Sequence, residues 1–508
     1  MQTRKIVGMS PISFFPRYNQ RRLAWLGLGL AFFLAMLVLF GRFPATAASP
    51  KPYNELTFAP LPEIQVPAYS RYQLDNGIVV YLMPDQELPL VQGMALFRTG
   101  DRWEPPDKVG LASLTGEVMR SGGTQTHPAA ELNRLLEQRA AAVEAGIGET
   151  SGRVLFDALS EDLEPVFGLF AEVIQEPAFA PDQIELGKTH HRGAIQRRND
   201  DPNGILGREF RKLIYGSGSP YARTVEYDTL AAISREDILR FYRQSFVPDA
   251  MILGIVGDFD SEVMRSLIQE EFGDWNPEVQ GQTPAPPTVA QAHAGDIFFI
   301  DQPQLTQSYI RLGHLGGRAN DPDFPTLGVL NEILNGMGGR LFNEVRSRQG
   351  LAYSVYGVWS AQEDYPGLLV AGGETQSENS VPFIQAVKQE LEHVRQEPVS
   401  PEELKFAQDS VLNSFVFHFQ DTRQILFRLL NYEYYDYPTD FIFQYRQGVE
   451  ATTSVDVQMD SNRPFHLSTL TSQNCTHKRF VAPRCKLLTS LKVYSDHRRL
   501  RSYRRYLW

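Results

Sequence analysis

Polar and apolar positions alternate from Tyr72 to Met83, and Asn76-Gly77 interrupts them midway, the pattern of a β-hairpin. A second alternating run, Leu90 to Phe97, passes through a Pro-Asp turn into an apolar-periodic helix that stops at Gly122-Gly123. Helical periodicity returns over Pro128–Ala142, Leu163–Ile174 and Asp182–Arg198. Ser234, with Asp237 three residues on, forms a capping box for a helix reaching Arg243. Met251 to Val256 is uniformly apolar and predicts a buried strand ahead of Gly257-Asp258. Farther on, Ser400-Pro401-Glu402-Glu403 supplies an N-cap, a first-position proline and an acidic first turn.

The pattern repeats. At one constant offset Arg102 falls on Arg318, Pro106 on Pro322, Asp107 on Asp323, Leu111 on Leu327, and Gly122-Gly123 on Gly338-Gly339. Each copy runs strand (Leu90–Phe97; Ser308–Gly313), Pro-Asp turn, helix, glycine pair, which indicates an internal duplication. Between the copies, Pro277–Ala292 carries Pro284, Pro286 and Pro287 among small polar residues and reads as a linker. The expected fold class is therefore α+β: two homologous domains, each a mostly antiparallel sheet flanked by helices. The boundaries are 60–276 and 293–457, with the linker at 277–292.

Composition narrows the function. A net charge of −11 over 508 residues offers no basic face and argues against a nucleic-acid partner. Two cysteines, Cys475 and Cys485, exclude a disulfide framework for the body of the chain. At the N-terminus, Arg21-Arg22 precede an apolar run from Leu23 to Phe40 and then Ala45-Thr46-Ala47. That layout over 1–47 predicts a secretory signal, or an uncleaved membrane anchor, since about 18 apolar residues also span a bilayer. Either way the folded part is expected to be exported, to the periplasm or beyond the cell. At the other end, 458–508 breaks the duplicated pattern: it is rich in Arg and Lys, and no apolar strand ending in Gly-Asp closes the second domain. Two readings of the tail stay open, a shifted reading frame near codon 458 or a genuine basic appendage. Both predict an unpaired strand edge in the second domain.

Candidate chemistry centres on Val109–Thr124. An inverted zincin motif, H-x-x-E-H, sets two zinc-ligating imidazoles on one helical face with a glutamate base between them. In this frame Ser113, Gly116 and Glu117 stand where His, Glu and His would be. With L-D-N-G-I-V-V (74–80), S-P-Y (219–221), I-S-R-E-D-I-L-R-F-Y (233–242) and G-M-G-G-R-L-F-N-E-V-R-S-R-Q-G-L-A-Y-S-V (336–355), the chain resembles the pitrilysin/insulinase family of inverzincins. The likeness is to the two-domain, processing-peptidase-like branch.

The resemblance implies a clamshell half and a third zinc ligand, a glutamate expected at Gly193 or Ala194. It also implies that Arg346 and Tyr353 match a substrate-holding pair. No metal and no catalytic residue is then expected on this chain. His190 and His191 are adjacent, so a helix points them about 100° apart, which argues against one shared ion. The implied role is a non-catalytic, substrate-binding subunit of an exported heterodimeric zinc peptidase, with zinc and H-x-x-E-H on its partner and an extended peptide as substrate. The alternative is a scaffold homologue of processing-peptidase core subunits with no proteolytic role. For Arg346 and Tyr353 themselves, a surface ion pair with Glu344 or a neighbour and a strand-core position are the bland readings.

Overall fold

The computed structural model describes residues 64, 66–277, 285–293, 297–336 and 338–462, with strands Thr471–Thr476, Leu491–Tyr494 and Arg501–Ser502 beyond them. The predicted signal or anchor and most of the basic tail lie outside these residues. Ile64–Trp508 is one compact unit.

The first sheet contains β1 (Ser70–Gln73), β2 (Val79–Pro84), β3 (Leu90–Phe97), β4 (Ala142–Ile147), β5 (Gly152–Leu159) and β6 (Met251–Gly257). Their order is β1-β2-β6-β3-β5-β4, antiparallel throughout except for β2 with β6. The hairpin turn forms where Asn76-Gly77 predicts it, with Gly77 at φ 99. The second sheet repeats this plan with β7 (Ile297–Asp301), β8 (Gln307–Leu315), β9 (Ala352–Ser360) and β10 (Leu368–Gln376). It is extended by β11 (Thr471–Thr476), β12 (Leu491–Tyr494) and β13 (Arg501–Ser502), in the order β13-β12-β7-β11-β8-β10-β9.

One expectation is overturned here. The second domain does have its closing strand: β11 lies parallel to β7 and antiparallel to β8, as β6 lies between β2 and β3. Its sequence, T-S-Q-N-C-T, carries no apolar signal. The position is dictated by the backbone groups of β7 and β8, which need partners whatever side chains the closing strand brings.

The helices that organise the packing include α1 (Leu111–Ser121), α2 (Leu163–Gln175), α3 (Pro181–Arg197), α4 (Pro202–Tyr215), α5 (Phe324–Asn335), α6 (Ser380–Gln396) and α7 (Thr422–Tyr434). Predicted helix bounds hold to within a residue or so for α2 and α3. The stretch expected to run to Ala142 stops at Glu137, because Ala140 turns to φ 48 and Ala142 opens β4. The Ser234–Asp237 capping box is present, as is the Ser400 cap accepting from the Glu403 amide.

On one face of the first sheet, Val80, Leu82, Val91, Ala95 and Phe97 pack with Leu114 and Val118 of α1 and Phe167 and Phe170 of α2. The other face is covered from the second half of the chain. Ile425, Leu426, Leu429 and Leu430 of α7 bury Tyr81, Met83, Met94, Leu96, Ile252 and Val256. Gly254 permits this, since a Cβ there would stand 2.6 Å from Leu430 Cδ1. The exchange is reciprocal: Ile205 and Leu206 of α4, from the first half, pack on Ile300 of the second sheet. Polar contacts lock the arrangement. Arg102 Nη1 lies 2.7 Å from Asp364 Oδ2, Arg211 Nη2 2.6 Å from Glu149 Oε2, and the Tyr221 and Tyr365 rings stack at 4.0 Å. Arg98 caps the C-terminus of α7, donating to the Tyr434 and Glu433 carbonyls at 2.5 and 3.1 Å.

Candidate functional site

The degenerate zincin frame sits on α1, whose start is fixed by one buried acid. Glu104 accepts from the Gly110 and Ala112 amides, both at 3.0 Å, where the positive end of the helix favours a carboxylate. Burial dominates nonetheless and pushes the Glu104 carboxyl up to about 7, with the two amide bonds pulling the other way. Neighbouring Asp101 is pushed up to about 6, first by burial and then by the Glu149 charge.

Each frame position has a packing role. Ser113 Oγ donates to the Gly110 carbonyl at 3.2 Å. Gly116 is buried against β4: a Cβ built on it would stand 2.5 Å from the Ile147 nitrogen and 2.8 Å from the Gly146 carbonyl carbon. Glu117 reaches α3, with Oε1 3.1 Å from His190 Nδ1 and Oε2 3.3 Å from His191 Nε2. Adjacency of the two histidines therefore does not keep them from a common partner, because a carboxylate presents its two oxygens in different directions and spans the angle between the rings. What they share is an anion rather than a cation. Among the described residues no group of three or more His, Cys, Asp or Glu side chains is placed to hold a metal ion. The donor set has the wrong chemistry as well, since Gly116, Gly193 and Ala194 have no ligating atoms.

Arg346 and Tyr353 come together as a pair. A short π-helical stretch, Phe342–Arg348, carries Arg346; the chain reverses at Gly350 (φ 62) and Tyr353 follows on β9. The Arg346 guanidinium lies 4.8 Å from the Phe342 ring centroid and 4.9 Å from that of Tyr353. Both bland readings fail. Glu344 pairs with Arg348 at 2.5 Å and accepts from Gln349, and among the described residues no carboxylate pairs with Arg346. Tyr353 is 79% exposed, so it is no part of a strand core. Tyr353 lies on β9 and Arg346 just before it; β9 ends the sheet and, among the described residues, pairs only with β10. Phe342, one helical turn before Arg346, escaped the sequence reading; its spacing was the available signal.

This architecture, a duplicated sheet-and-helix unit with a motif helix at one sheet edge, is that of a peptidase clamshell half. Two family models match: Insulinase (Peptidase family M16) over residues 93–215 and Peptidase M16 inactive domain over residues 232–411. The chain belongs to the pitrilysin/insulinase peptidase family, M16, with the model named inactive domain matching its second half. Among curated relatives, an uncharacterized zinc protease of Mycobacterium leprae is 27% identical over 54% of this chain and 63% of its own length. The uncharacterized zinc protease YmxG of Bacillus subtilis is 23% identical over 70% and 86%. The chain thus spans less than two thirds of the first of these. Similar solved folds include a peptidase M16 inactive domain from Pseudomonas fluorescens (TM-score 0.73, 21% identity, 82% of this chain and 99% of that one). Another is the periplasmic protease PqqL from Escherichia coli (TM-score 0.68, 18% identity, 82% and 48%).

Proposed function

We propose that this chain is the non-catalytic, substrate-holding subunit of an exported heterodimeric zinc peptidase. The observation that carries the reading is the contrast between its two candidate sites. The α1 frame has lost both zinc-ligating imidazoles and the glutamate base, and each frame position makes a contact within the fold. Arg346 and Tyr353, by contrast, are exposed and stacked on each other, and among the described residues no acid pairs with the guanidinium.

An exposed guanidinium held against aromatic faces presents a planar fork of donors to peptide carbonyls or a carboxylate. A tyrosine hydroxyl beside it can donate to a carbonyl oxygen as negative charge develops there. The partner brings H-x-x-E-H, the downstream glutamate and zinc, and holds the extended peptide on its own sheet edge. The periplasmic PqqL among the fold neighbours agrees with export.

Co-expression with an H-x-x-E-H homologue tests the proposal. The pair should cleave an extended peptide at least about tenfold faster than the homologue alone, and R346A and Y353F should each remove most of that gain. Stable association with no gain in cleavage would instead identify a scaffold subunit.

A further inference from the structure

The packing of α1 on β4 has a consequence for peptide binding by this chain itself. β4 is the outer strand of the first sheet and, among the described residues, pairs only with β5. The hairpin closes with the Gly148 amide donating to the Ser151 carbonyl at 2.9 Å, which fixes the alternation of the ladder. The backbone groups of Gly146, Glu144 and Ala142 therefore turn toward β5. Those of Val143, Ala145 and Ile147 turn outward, to the side where an added strand would pair.

Two of these three outward residues are already engaged by α1. Arg120 Nε donates to the Val143 carbonyl at 2.6 Å, and its Nη1 is held by Asn133 Oδ1 at 2.8 Å. One helical turn earlier, Gly116 lies against the Gly146–Ile147 peptide group, close enough that even a methyl would collide with it. At Ala145, between them, no hydrogen bond from outside the hairpin is present among the described residues. One residue does not make a strand, because an added peptide gains its affinity from successive main-chain bonds.

We infer that α1 closes the β4 edge to an added peptide strand, with Arg120 as the plug and Gly116 as the position that lets the helix seat. The first half of this chain is thus shut as a peptide site, not merely deprived of its catalyst. The inference does not depend on the heterodimer reading, since it concerns the isolated chain.

Hydrogen exchange on the full chain with β-casein, an unfolded polypeptide, as the probe gives the direct test. Saturating probe should leave the Ala145 and Ile147 amides exchanging as in the free protein. Protection of those two amides in the wild type would overturn the inference. Arg120→Met keeps the apolar stem and frees the Val143 carbonyl; it should gain about tenfold in probe affinity, with new protection at the Val143 and Ala145 amides. Arg120→Lys, which retains a donor, should behave as the wild type. An Arg120→Met protein of unchanged melting temperature that binds the probe no better would also sink the idea. Failure of the heterodimer proposal would appear separately, in the response of cleavage to R346A, and would leave β4 exchange untouched.

Discussion

Gly116→Ala offers a test whose sign separates two physical effects. In an ordinary helix interior, replacing glycine by alanine stabilises by about 1 kcal/mol, because alanine gives up less backbone entropy on folding. At Gly116 the added Cβ would stand 2.5 Å from the Ile147 nitrogen, about 0.9 Å inside ordinary van der Waals contact, and both neighbours are backbone. No rotamer change relieves that, so α1 must retreat from β4. Leu114 and Val118, fully buried on the same helix, would move with it. A gap of 0.5–1 Å forfeits roughly a quarter to a half of each contact's attraction, and overpacking of this kind costs about 1–3 kcal/mol. With the lost Arg120–Val143 bond, worth about 1 kcal/mol, the total exceeds the helix-propensity gain. The expected net loss is about 1–3 kcal/mol, a fall of a few degrees in melting temperature for a unit of this size. Gly193→Ala is the matched control. Its Cβ would meet nothing closer than an arginine side-chain nitrogen at 3.7 Å, so it should stabilise by about 1 kcal/mol. Differential scanning fluorimetry of the two variants decides. A Gly116→Ala protein that melts at or above the wild type would refute the close seating of α1 on β4.

Other outcomes follow from the same structure. Glu104 has a folded pKa raised to about 7 from 4.5, so its contribution to stability is fully present below pH 4.5 and is lost as pH rises through 7. Denaturation midpoints should fall between pH 5 and pH 8 in the wild type, and Glu104→Gln should flatten that slope. Asp364→Ala leaves the Arg102 guanidinium buried without its acid and should destabilise by about 3 kcal/mol or more; Arg102→Met with Asp364→Ala should recover much of this, as urea titration would show. Removing both Arg71 donors to Glu433 by Arg71→Ala should cost about 1 kcal/mol, because the Arg71 side chain is about half exposed to solvent.

Much of the fold was legible because its signals are local. The Asn76-Gly77 turn, the Ser234–Asp237 box and the all-apolar β6 each encode their conformation within a few residues, and the duplication placed the second half by analogy with the first. What could not be read was set by distant partners. β11 has polar side chains and is a strand because two other strands leave their edges open to it. Glu117 could be seen to lack its zinc role, but its contact with both His190 and His191 depends on how α3 lies beside α1. Gly116 looked like a missing base; only the neighbouring backbone reveals it as a contact that glycine alone can make. The Arg346–Tyr353 pairing was within reach from the family pattern, whereas their exposure depended on β9 being the last strand of its sheet.

The exchange of α4 and α7 between the halves also bears on how this protein is made. A ribosome releases the first sheet complete once Gly257 has emerged, yet the helix that covers its second face ends only at Tyr434. During that interval Tyr81, Met94, Leu96 and Ile252 have no cover, and the growing chain presents a sticky apolar sheet to whatever is near.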